Sequence, residues 1–208
     1  MNNFLQQGLT KYLEKTELSK IKNTKILIAG AGGVGSNAAM LLVRCGFEKI
    51  TIIDYDELEP SNLNRQFFFN EQVGTLKVCG LKENLLKINH QATIKIIKER
   101  LTVDNVNNLI KNQDIILEAF DDIIAKKIIV EACHLLAKHI IAVSGIAGIG
   151  NSDKIVIRKI NNRFYMVGDF ESDINLALPP LAPKVMIAAA KQVDIVLELV
   201  IGNKEIAT

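Results

Sequence analysis

The chain has few of the residues that build metal centres. Its 208 residues include three cysteines and three histidines, namely Cys45, Cys79, Cys133, His90, His134 and His139. No two cysteines form a Cys-x-x-Cys pair, and the histidines lack a spacing typical of metal ligands. We therefore expect no zinc site, and we expect the cysteines to be packing residues in predicted helices.

A strong charge bias and long apolar runs are also absent. The formal net charge is +2 at pH 7, so bulk charge predicts no nucleic-acid partner. No apolar run is long enough to span a membrane and no signal peptide is recognisable, which predicts a cytoplasmic protein without membrane contact. A hydrophobic content of 49% over 208 residues is enough for one domain with its own core.

Strand-like and helix-like segments alternate along most of the chain. The strand-like runs are 25–29, 49–54, 93–98, 114–118 and 140–144. Helical patterns lie between them, including 36–45, 76–87 and 122–137. This alternation predicts an α/β fold, a Rossmann-like doubly wound sheet that is mostly parallel.

The pattern changes after Gly145. Two strand-like runs, 154–160 and 163–167, flank Asn161-Asn162, which predicts a hairpin. A polar loop over 168–178 then leads to a final helix at 184–200. We expect one domain over residues 1–208, with an N-terminal helical arm at 1–24, a C-terminal antiparallel extension and a final helix.

Glycines cluster where the first predicted strand gives way to a helix. They are Gly30, Gly32, Gly33 and Gly35. Glycine is needed where the backbone takes positive φ or approaches a phosphate, and a helix that starts there offers unpaired N–H groups. Asp54 ends the next strand, roughly 20 residues on, where a carboxylate usually meets a ribose. This fingerprint predicts a bound nucleotide, with NAD as the first candidate.

The polar segment that follows favours a triphosphate over NAD. Arg65 can bind a phosphate in a bidentate manner through two parallel N–H donors, and Asn62 and Asn64 add amide groups beside it. Lys77 opens the next predicted helix and supplies a second positive charge. Either cation alone reads as an ordinary surface residue, but together, beside a phosphate-binding turn, they indicate ATP.

At this point the chain resembles the ThiF/MoeB/HesA family, the bacterial relatives of ubiquitin-activating enzymes. The shared pattern is Gly-x-Gly-Gly-x-Gly, Asp-x-Asp, Ser-Asn-Leu-x-Arg-Gln, a lysine opening a helix, and an aspartate after a later strand. These elements correspond here to Gly30 to Gly35, Asp54 and Asp56, Ser61 to Gln66, Lys77, and Asp121. The match covers about the first 150 residues in order and spacing. The short length and the Asn64-Arg65-Gln66 run look most like small ThiF-type proteins of thiamine biosynthesis.

The resemblance implies an adenylyltransferase. Such enzymes use ATP to adenylate the C-terminal Gly-Gly carboxylate of a small ubiquitin-like sulfur carrier. By this resemblance Arg65, Lys77 and Asp121 are the catalytic candidates, and Asp121 would hold Mg²⁺. The nucleotide-binding set would be Gly30, Gly32, Gly33, Gly35, Asp54, Asp56, Ser61, Asn62, Asn64, Arg65 and Lys77. Asp121 could instead cap the following helix, a role that Asp122 could also fill.

Two departures from the family pattern leave other functions open. Many relatives carry paired cysteines for zinc, and an N-terminal arginine that reaches the neighbouring subunit, whereas residues 1–24 here contain no arginine. Lys11 or Lys15 could take its place, although lysine lacks the two parallel N–H donors. The resemblance also implies a homodimer. The alternatives are adenylation of a molybdopterin carrier, dehydration of a modified tRNA base, and a non-catalytic nucleotide-binding regulator.

Overall fold

A computed structural model describes residues 3–173 and 177–203, which form a seven-stranded sheet between two layers of helices. The strands are β1 (Lys25–Ala29), β2 (Lys49–Ile53), β3 (Thr93–Ile97), β4 (Ile115–Glu118), β5 (His139–Val143), β6 (Val156–Asn161) and β7 (Phe164–Gly168). Their order in the sheet is β3-β2-β1-β4-β5-β7-β6, and only β6 runs antiparallel to its neighbour. The predicted doubly wound, mostly parallel sheet with an antiparallel extension is confirmed.

The helices lie in both layers and at the N-terminus. They are α1 (Phe4–Leu9), α2 (Lys15–Asn23), α3 (Gly33–Arg44), α4 (Lys77–Ile88), α5 (Val103–Ile110), α6 (Ile123–Leu135) and α7 (Ala182–Ile201). Short 3₁₀ turns occur at Pro60–Asn62, Asn70–Gln72 and Ser152–Lys154. Among the described residues, no helix is both long and apolar enough to cross a membrane.

The side chains of β1 show how the sheet divides the core. Ile26 and Ile28 join the cluster beneath α3, α4 and α7, whereas Leu27 and Ala29 join the cluster beneath α5 and α6. Successive side chains of a strand point to opposite faces, so a strand covered on both sides is apolar throughout. This explains why the Lys25–Ala29 run is almost continuously hydrophobic and why it lies in the middle of the sheet.

The helical arm predicted at the N-terminus consists of two separate helices, α1 and α2. A turn at residues 10–14 separates α1 from α2, and a reciprocal capping arrangement of Glu14 and Glu17 starts α2. Leu18 and Ile21 bury α2 in the core. In α1, the Gln6 side chain donates to Glu48 at 3.0 Å, so the arm lies at the edge of the sheet where the strands begin.

The C-terminal part closes the layer that contains α3. The predicted final helix is present as α7, which packs chiefly along α3. The strands β6 and β7 form the predicted hairpin, with an irregular register between Lys159 and Asn161. Part of the predicted polar loop, residues 174–176, lies outside the described residues.

Candidate nucleotide-binding site

The glycine-rich turn follows β1 at the carboxyl edge of the sheet, beside the end of β4. Gly30 has φ of 102°, and a Cβ there would lie 2.7 Å from the Ala119 carbonyl oxygen. A Cβ on Gly35 would collide with the Gly30 carbonyl. Both positions therefore require glycine for packing between β1, α3 and β4. In open α/β sheets, ligands bind in the crevice at the switch in strand order, here between β1 and β4.

Helix α3 begins earlier than the sequence pattern predicts, at Gly33 instead of Ser36, with Gly32 as its N-cap. The first hydrogen bond within the helix runs from the Ser36 N–H to the Gly32 carbonyl at 3.0 Å. The N–H groups of Gly33, Val34 and Gly35 thus belong to the first helical turn and have no acceptor within their own helix. The glycine-rich turn and the positive end of the helix are the same structure, which suits an anion.

Asp54 holds the glycine-rich turn from the end of β2. Its carboxylate accepts the Ala31 N–H at 2.6 Å and the Asp56 N–H at 2.8 Å. The side chain is buried, and burial raises the pKa of the Asp54 carboxyl above its ordinary value, although both hydrogen bonds and the charge of Lys77 oppose the shift. Asp54 therefore positions the turn directly, in addition to the ribose contact expected from sequence.

Asp56 and Lys77 form an ion pair beside this carboxylate. Lys77 Nζ lies 2.7 Å from Asp56 Oδ2, and the Lys77 N–H donates to the Asp56 carbonyl at 2.9 Å. Lys77 is the first residue of α4 and is 8% exposed, so Asp56 holds its charge in place from the more open side. The structure brings both residues, Asp54 and the glycine-rich turn to one edge of the sheet.

The segment from Glu59 to Gln66 is a compact turn whose polar groups mostly bond one another. The Asn62 side chain is buried and accepts the Glu59 N–H at 3.1 Å, and Ser61 Oγ lies 3.3 Å from a Glu59 carboxylate oxygen. Asn64 Nδ2 donates to the Pro180 carbonyl at 3.2 Å, just ahead of α7. The contacts of Ser61, Asn62 and Asn64 therefore include shaping this turn.

The turn is fastened to α3 by two side chains that sequence reasoning missed. Asn37 Nδ2 donates to the carbonyls of Gly33 at 2.7 Å and Arg65 at 2.8 Å. Ser36 Oγ accepts the Phe67 N–H at 3.0 Å. Both residues follow the glycines directly in sequence, and that proximity is the one signal that could have identified them.

Arg65 lies between this turn and the loop after β4. Its Nη1 donates to the Ser61 carbonyl at 2.9 Å and to Asn64 Oδ1 at 2.8 Å. The Arg65 side chain also lies close to Gly33, since its Cγ would be 3.6 Å from a Cβ at that position. Partial burial lowers the pKa of the Arg65 guanidinium, and the negative charge of Asp121 opposes that shift. Arg65 and Asp121 thus share one electrostatic environment at the glycine-rich turn.

The structure gives different positions to the two aspartates that follow β4, because only one of them caps α6. Asp122 is the N-cap of α6, and its Oδ1 accepts the Ile124 N–H at 2.9 Å. Asp121 is exposed and precedes the cap, so helix capping does not occupy its carboxylate. Within the described ranges no three His, Cys, Asp or Glu side chains cluster closely enough to hold a metal ion by themselves.

A buried ion pair behind Asp121 was also missed from the sequence. Lys126 Nζ on α6 lies 3.0 Å from both carboxylate oxygens of Glu118, the last residue of β4. Burial raises the pKa of the Glu118 carboxyl, and Lys126 opposes that shift. Glu118 ends an apolar run, Ile115 to Leu117, and its position at a strand end gave no indication of a charged partner eight residues away.

The cysteines lie apart from this site. Cys133 is fully buried in the cluster beneath α5 and α6, and burial raises the pKa of its thiol to about 12. Cys133 lies near the end of α6, away from the carboxyl edge where that helix begins. Cys45 and Cys79 are half-buried and pack against the cluster on the other face.

Fold and site together define a Rossmann-like α/β protein whose glycine-rich turn, two cations and a free aspartate converge at a switch point. Its sequence matches the ThiF family over residues 5–206. The chain belongs to the ThiF family.

Relatives with described roles match part of the chain. It is 36% identical over 132 residues to the adenylyltransferase and sulfurtransferase UBA4 of Candida albicans, covering 63% of this chain and 30% of that protein. It is 34% identical over 128 residues to the adenylyltransferase and sulfurtransferase MOCS3 of Anopheles gambiae, covering 61% and 29%. The chain thus spans about a third or less of the length of these relatives.

Solved structures match nearly the whole fold. The tRNA N6-threonylcarbamoyladenosine dehydratase TcdA of E. coli, solved in complex with ATP, superposes with a TM-score of 0.84 at 21% identity, covering 93% of this chain and 92% of that one. At this identity the likeness establishes a common fold.

Proposed function

We propose that this protein is an adenylyltransferase that uses ATP to activate the C-terminal Gly-Gly carboxylate of a small ubiquitin-like sulfur carrier. The observation that carries the proposal is the convergence of Arg65, Lys77 and Asp121 around the glycine-rich turn at the start of α3. The relatives UBA4 and MOCS3 are named adenylyltransferases, which supports the same chemistry. We propose a ThiS-like carrier in thiamine thiazole biosynthesis as the substrate.

In this proposal the nucleotide lies along the carboxyl edge of the sheet. The N–H groups of the first turn of α3 would face the phosphates, with no Cβ on Gly32 to hold the backbone away. The missing Cβ of Gly33 instead makes room for Val185, whose Cγ1 would lie 3.0 Å from it. Asp54 would accept a ribose hydroxyl with lone pairs that its two backbone bonds leave open. Asp56, Ser61, Asn62 and Asn64 would line the same region and hold the two cations in place.

The reaction itself needs little covalent help from the protein. A carboxylate oxygen of the carrier forms a bond to the α-phosphorus of ATP while the bond from that phosphorus to the bridging oxygen of pyrophosphate breaks. A C-terminal carboxylate, with pKa near ~3.5, is already ionised at neutral pH, so no general base is required. Arg65 and Lys77 would stabilise the negative charge that develops on the departing pyrophosphate.

Mg²⁺ fits this arrangement through Asp121. Magnesium in nucleotide sites commonly takes one or two carboxylates, with phosphate oxygens and waters as its other ligands. The Asp121 carboxylate is exposed and is not needed as the α6 cap, which Asp122 provides. When bound there, Mg²⁺ would neutralise phosphate charge, and the positive charge of Arg65, which interacts with Asp121, would add to this effect.

We also propose that the protein works as a homodimer. Helices α1 and α2 pack at the opposite edge of their own sheet, so the arm does not supply a cation to its own site. Sedimentation equilibrium at micromolar protein concentration would distinguish a monomer from a dimer.

The test begins with the nucleotide. Calorimetric titration with ATP and Mg²⁺ should give saturable binding, and titration with NAD should give none. Tight NAD binding without ATP binding would refute the proposal.

The second arm of the test identifies the substrate. Pyrophosphate–ATP exchange should require a small protein ending in Gly-Gly, and a variant of that protein lacking the last glycine should be inactive. Comparing a thiamine-type with a molybdopterin-type carrier separates those two substrates. ATP turnover that needs tRNA carrying threonylcarbamoyladenosine would favour a dehydratase, and ATP binding without any turnover would favour a regulator.

A further inference from the structure

Glu118 and Lys126 form an ion pair, and both side chains also form hydrogen bonds with backbone groups of neighbouring segments. Lys126 Nζ contacts both carboxylate oxygens at 3.0 Å and also donates to the Val143 carbonyl at 3.0 Å. Glu118 is 1% exposed, whereas the Lys126 side chain is 27% exposed. Lys126 is therefore the cationic partner of a carboxyl group that lies in the interior.

The carboxylate also bonds the backbone of the loop that carries Asp121. Glu118 Oε1 accepts the Phe120 N–H at 2.7 Å, immediately before Asp121. Glu118 Oε2 lies 3.5 Å from the Val143 N–H, at the end of β5. The same carboxylate thus contacts the turn after β4 and the end of the neighbouring strand, while its lysine partner comes from α6, the helix that begins after that turn.

This bonding begins where the parallel ladder between β4 and β5 stops. The last paired residues of the two strands are Leu117 and Ile141. Gln192 of α7 links the two strands at this point, because its Nε2 donates to the Glu118 carbonyl at 3.1 Å and to the Ile141 carbonyl at 2.8 Å. Beyond this point, the Ala119 N–H donates to the Ala29 carbonyl of β1 at 2.8 Å, and the Glu118 carboxylate bonds the Phe120 N–H next to Asp121.

Stability alone is a poor reason for such a pair. Removing charges from water is costly, and a buried ion pair is often no more stabilising than well-packed apolar side chains of the same size. Apolar side chains could not replace the hydrogen bonds of Glu118, whose carboxylate accepts from the Phe120 N–H and from Lys126 Nζ at the same time. The pair therefore has geometric consequences for its neighbour Asp121.

We propose that Glu118 and Lys126 are positioning residues that hold the Asp121 carboxylate in the orientation required for Mg²⁺ at the nucleotide phosphates. This inference rests on the proposed function, because it assigns the pair a role at the same site. Neither residue touches the nucleotide. Both act through the backbone at Phe120 and through the start of α6.

The test measures the magnesium dependence of ATP binding, which needs no carrier protein. ATP affinity is determined by calorimetry over a series of Mg²⁺ concentrations and in excess chelator, for wild type, Glu118→Gln and Lys126→Met. Groups that orient a metal ligand typically contribute on the order of tenfold or more to metal affinity. We therefore expect the Mg²⁺ concentration for half-maximal ATP affinity to rise roughly tenfold in both variants, with ATP affinity in chelator unchanged.

Lys127→Met is the matched control. Lys127 is the next residue on α6, its side chain is 74% exposed, and its ion pair with Glu131 at 3.8 Å lies on the surface. It removes the same charge from the same helix and should leave the magnesium dependence at the wild-type value. Lys126→Arg keeps the charge and should retain most of the wild-type dependence.

A second comparison separates positioning from general weakening of the fold. In an Asp121→Asn background, Glu118→Gln should cause no further change in magnesium dependence, because the residue through which it acts is already altered. Thermal unfolding is followed in parallel. Lower stability with an unchanged magnesium dependence would overturn the inference, and so would an additional shift in the double variant.

The outcomes also distinguish this inference from the proposed function. Wild-type protein that binds no ATP would refute the function itself. Wild-type binding of MgATP together with wild-type magnesium dependence in Glu118→Gln would refute the positioning role and leave the function standing. If Lys126→Met does not fold, Glu118→Gln, which preserves the size and shape of the side chain, decides the result.

Discussion

The two edges of the central sheet use polar residues in opposite ways. At the carboxyl edge, the first-turn N–H groups of α3 and the exposed Asp121 retain bonding capacity that their own elements do not use. At the amino edge, the Lys25 N–H donates to the Asp114 carboxylate and the Asp114 N–H donates to the Lys25 carbonyl, both at 2.8 Å. Lys138 Nζ donates to the carbonyls of Lys111 and Gln113. The carboxyl edge thus has bonding groups available for the proposed nucleotide, and the amino edge uses such groups to close the fold.

A cavity at the amino edge sharpens this contrast. It has a volume of about 400 Å³ and is lined by residues that include Lys20, Asp114 and His139. It has room for a ligand, but the glycine-rich turn, Arg65 and Lys77 all lie at the other edge. This cavity is therefore distinct from the proposed nucleotide site, which is identified by its bonding groups.

The largest expected effect concerns the two cations of the carboxyl edge. Arg65→Ala and Lys77→Ala should each reduce turnover by several tens-fold or more, about 2–4 kcal/mol, because each removes charge stabilisation from the departing pyrophosphate. Carrier-dependent pyrophosphate–ATP exchange is the measurement.

Lysine and arginine residues outside the site provide the controls for this prediction. Lys87 lies near the end of α4 and pairs with Glu83 at the surface at 2.9 Å, and Arg44 ends α3. Lys87→Ala and Arg44→Ala should exchange at the wild-type rate. A wild-type rate in Arg65→Ala or Lys77→Ala would remove that residue from the proposed mechanism.

The next effect separates two adjacent aspartates. Asp121→Ala should lower activity and weaken its magnesium dependence, because it removes the proposed metal ligand. Asp122→Ala should instead cost about 1 kcal/mol of folding stability, because it removes the N-cap of α6. Both variants are measured by pyrophosphate–ATP exchange over a series of magnesium concentrations and by urea unfolding. If Asp122→Ala changed the magnesium dependence and Asp121→Ala changed only the stability, the roles of the two aspartates would be reversed.

At the amino edge the expected effects are on stability alone. Asp114→Ala removes the bond to the Lys25 N–H, and one such bond contributes about 0.5–1.5 kcal/mol. Its free energy of unfolding in urea should fall by that amount, while the affinity for ATP stays at the wild-type value. Weaker ATP binding in a folded Asp114→Ala protein would contradict the division between the two edges.

The smallest effect is a pH dependence from His139. Burial and the positive charge of Arg163 lower the pKa of the His139 imidazole, and Nδ1 is buried without a hydrogen-bond partner. The unfolded chain, where histidine titrates near ~6.5, then binds more protons than the folded chain at mildly acidic pH. The stability contributed by neutral His139 is present above the unfolded pKa and is lost as pH falls through the lowered folded value.

This dependence is measurable by urea unfolding at a series of pH values. His139→Asn should flatten the decline in stability on acidification, whereas the same substitution at exposed His134 serves as the control. An identical pH profile in His139→Asn and wild type would show that this group does not contribute.

The sequence by itself determined the parts of this protein that depend on local pattern. The strands predicted in the first two-thirds of the chain agree with the structure to within a residue or so. For the central strands the reason is that a strand buried on both faces must be apolar throughout. The glycine turn and the polar segment up to Lys77 were recognisable because their residue types and their order along the chain match the pattern of one family. Together these two motifs were sufficient to predict membership of the ThiF family, which the family match confirms.

Only the tertiary structure decided how those elements are held. It moved the start of α3 to Gly33, split the N-terminal arm into two helices, and assigned the α6 cap to Asp122 and not to Asp121. It also revealed the Glu118–Lys126 pair, whose bonds reach β5 and whose surroundings include α7. Local pattern records propensity and burial, but a hydrogen bond between segments far apart in the chain depends on how strands and helices pack, which no short window of sequence contains.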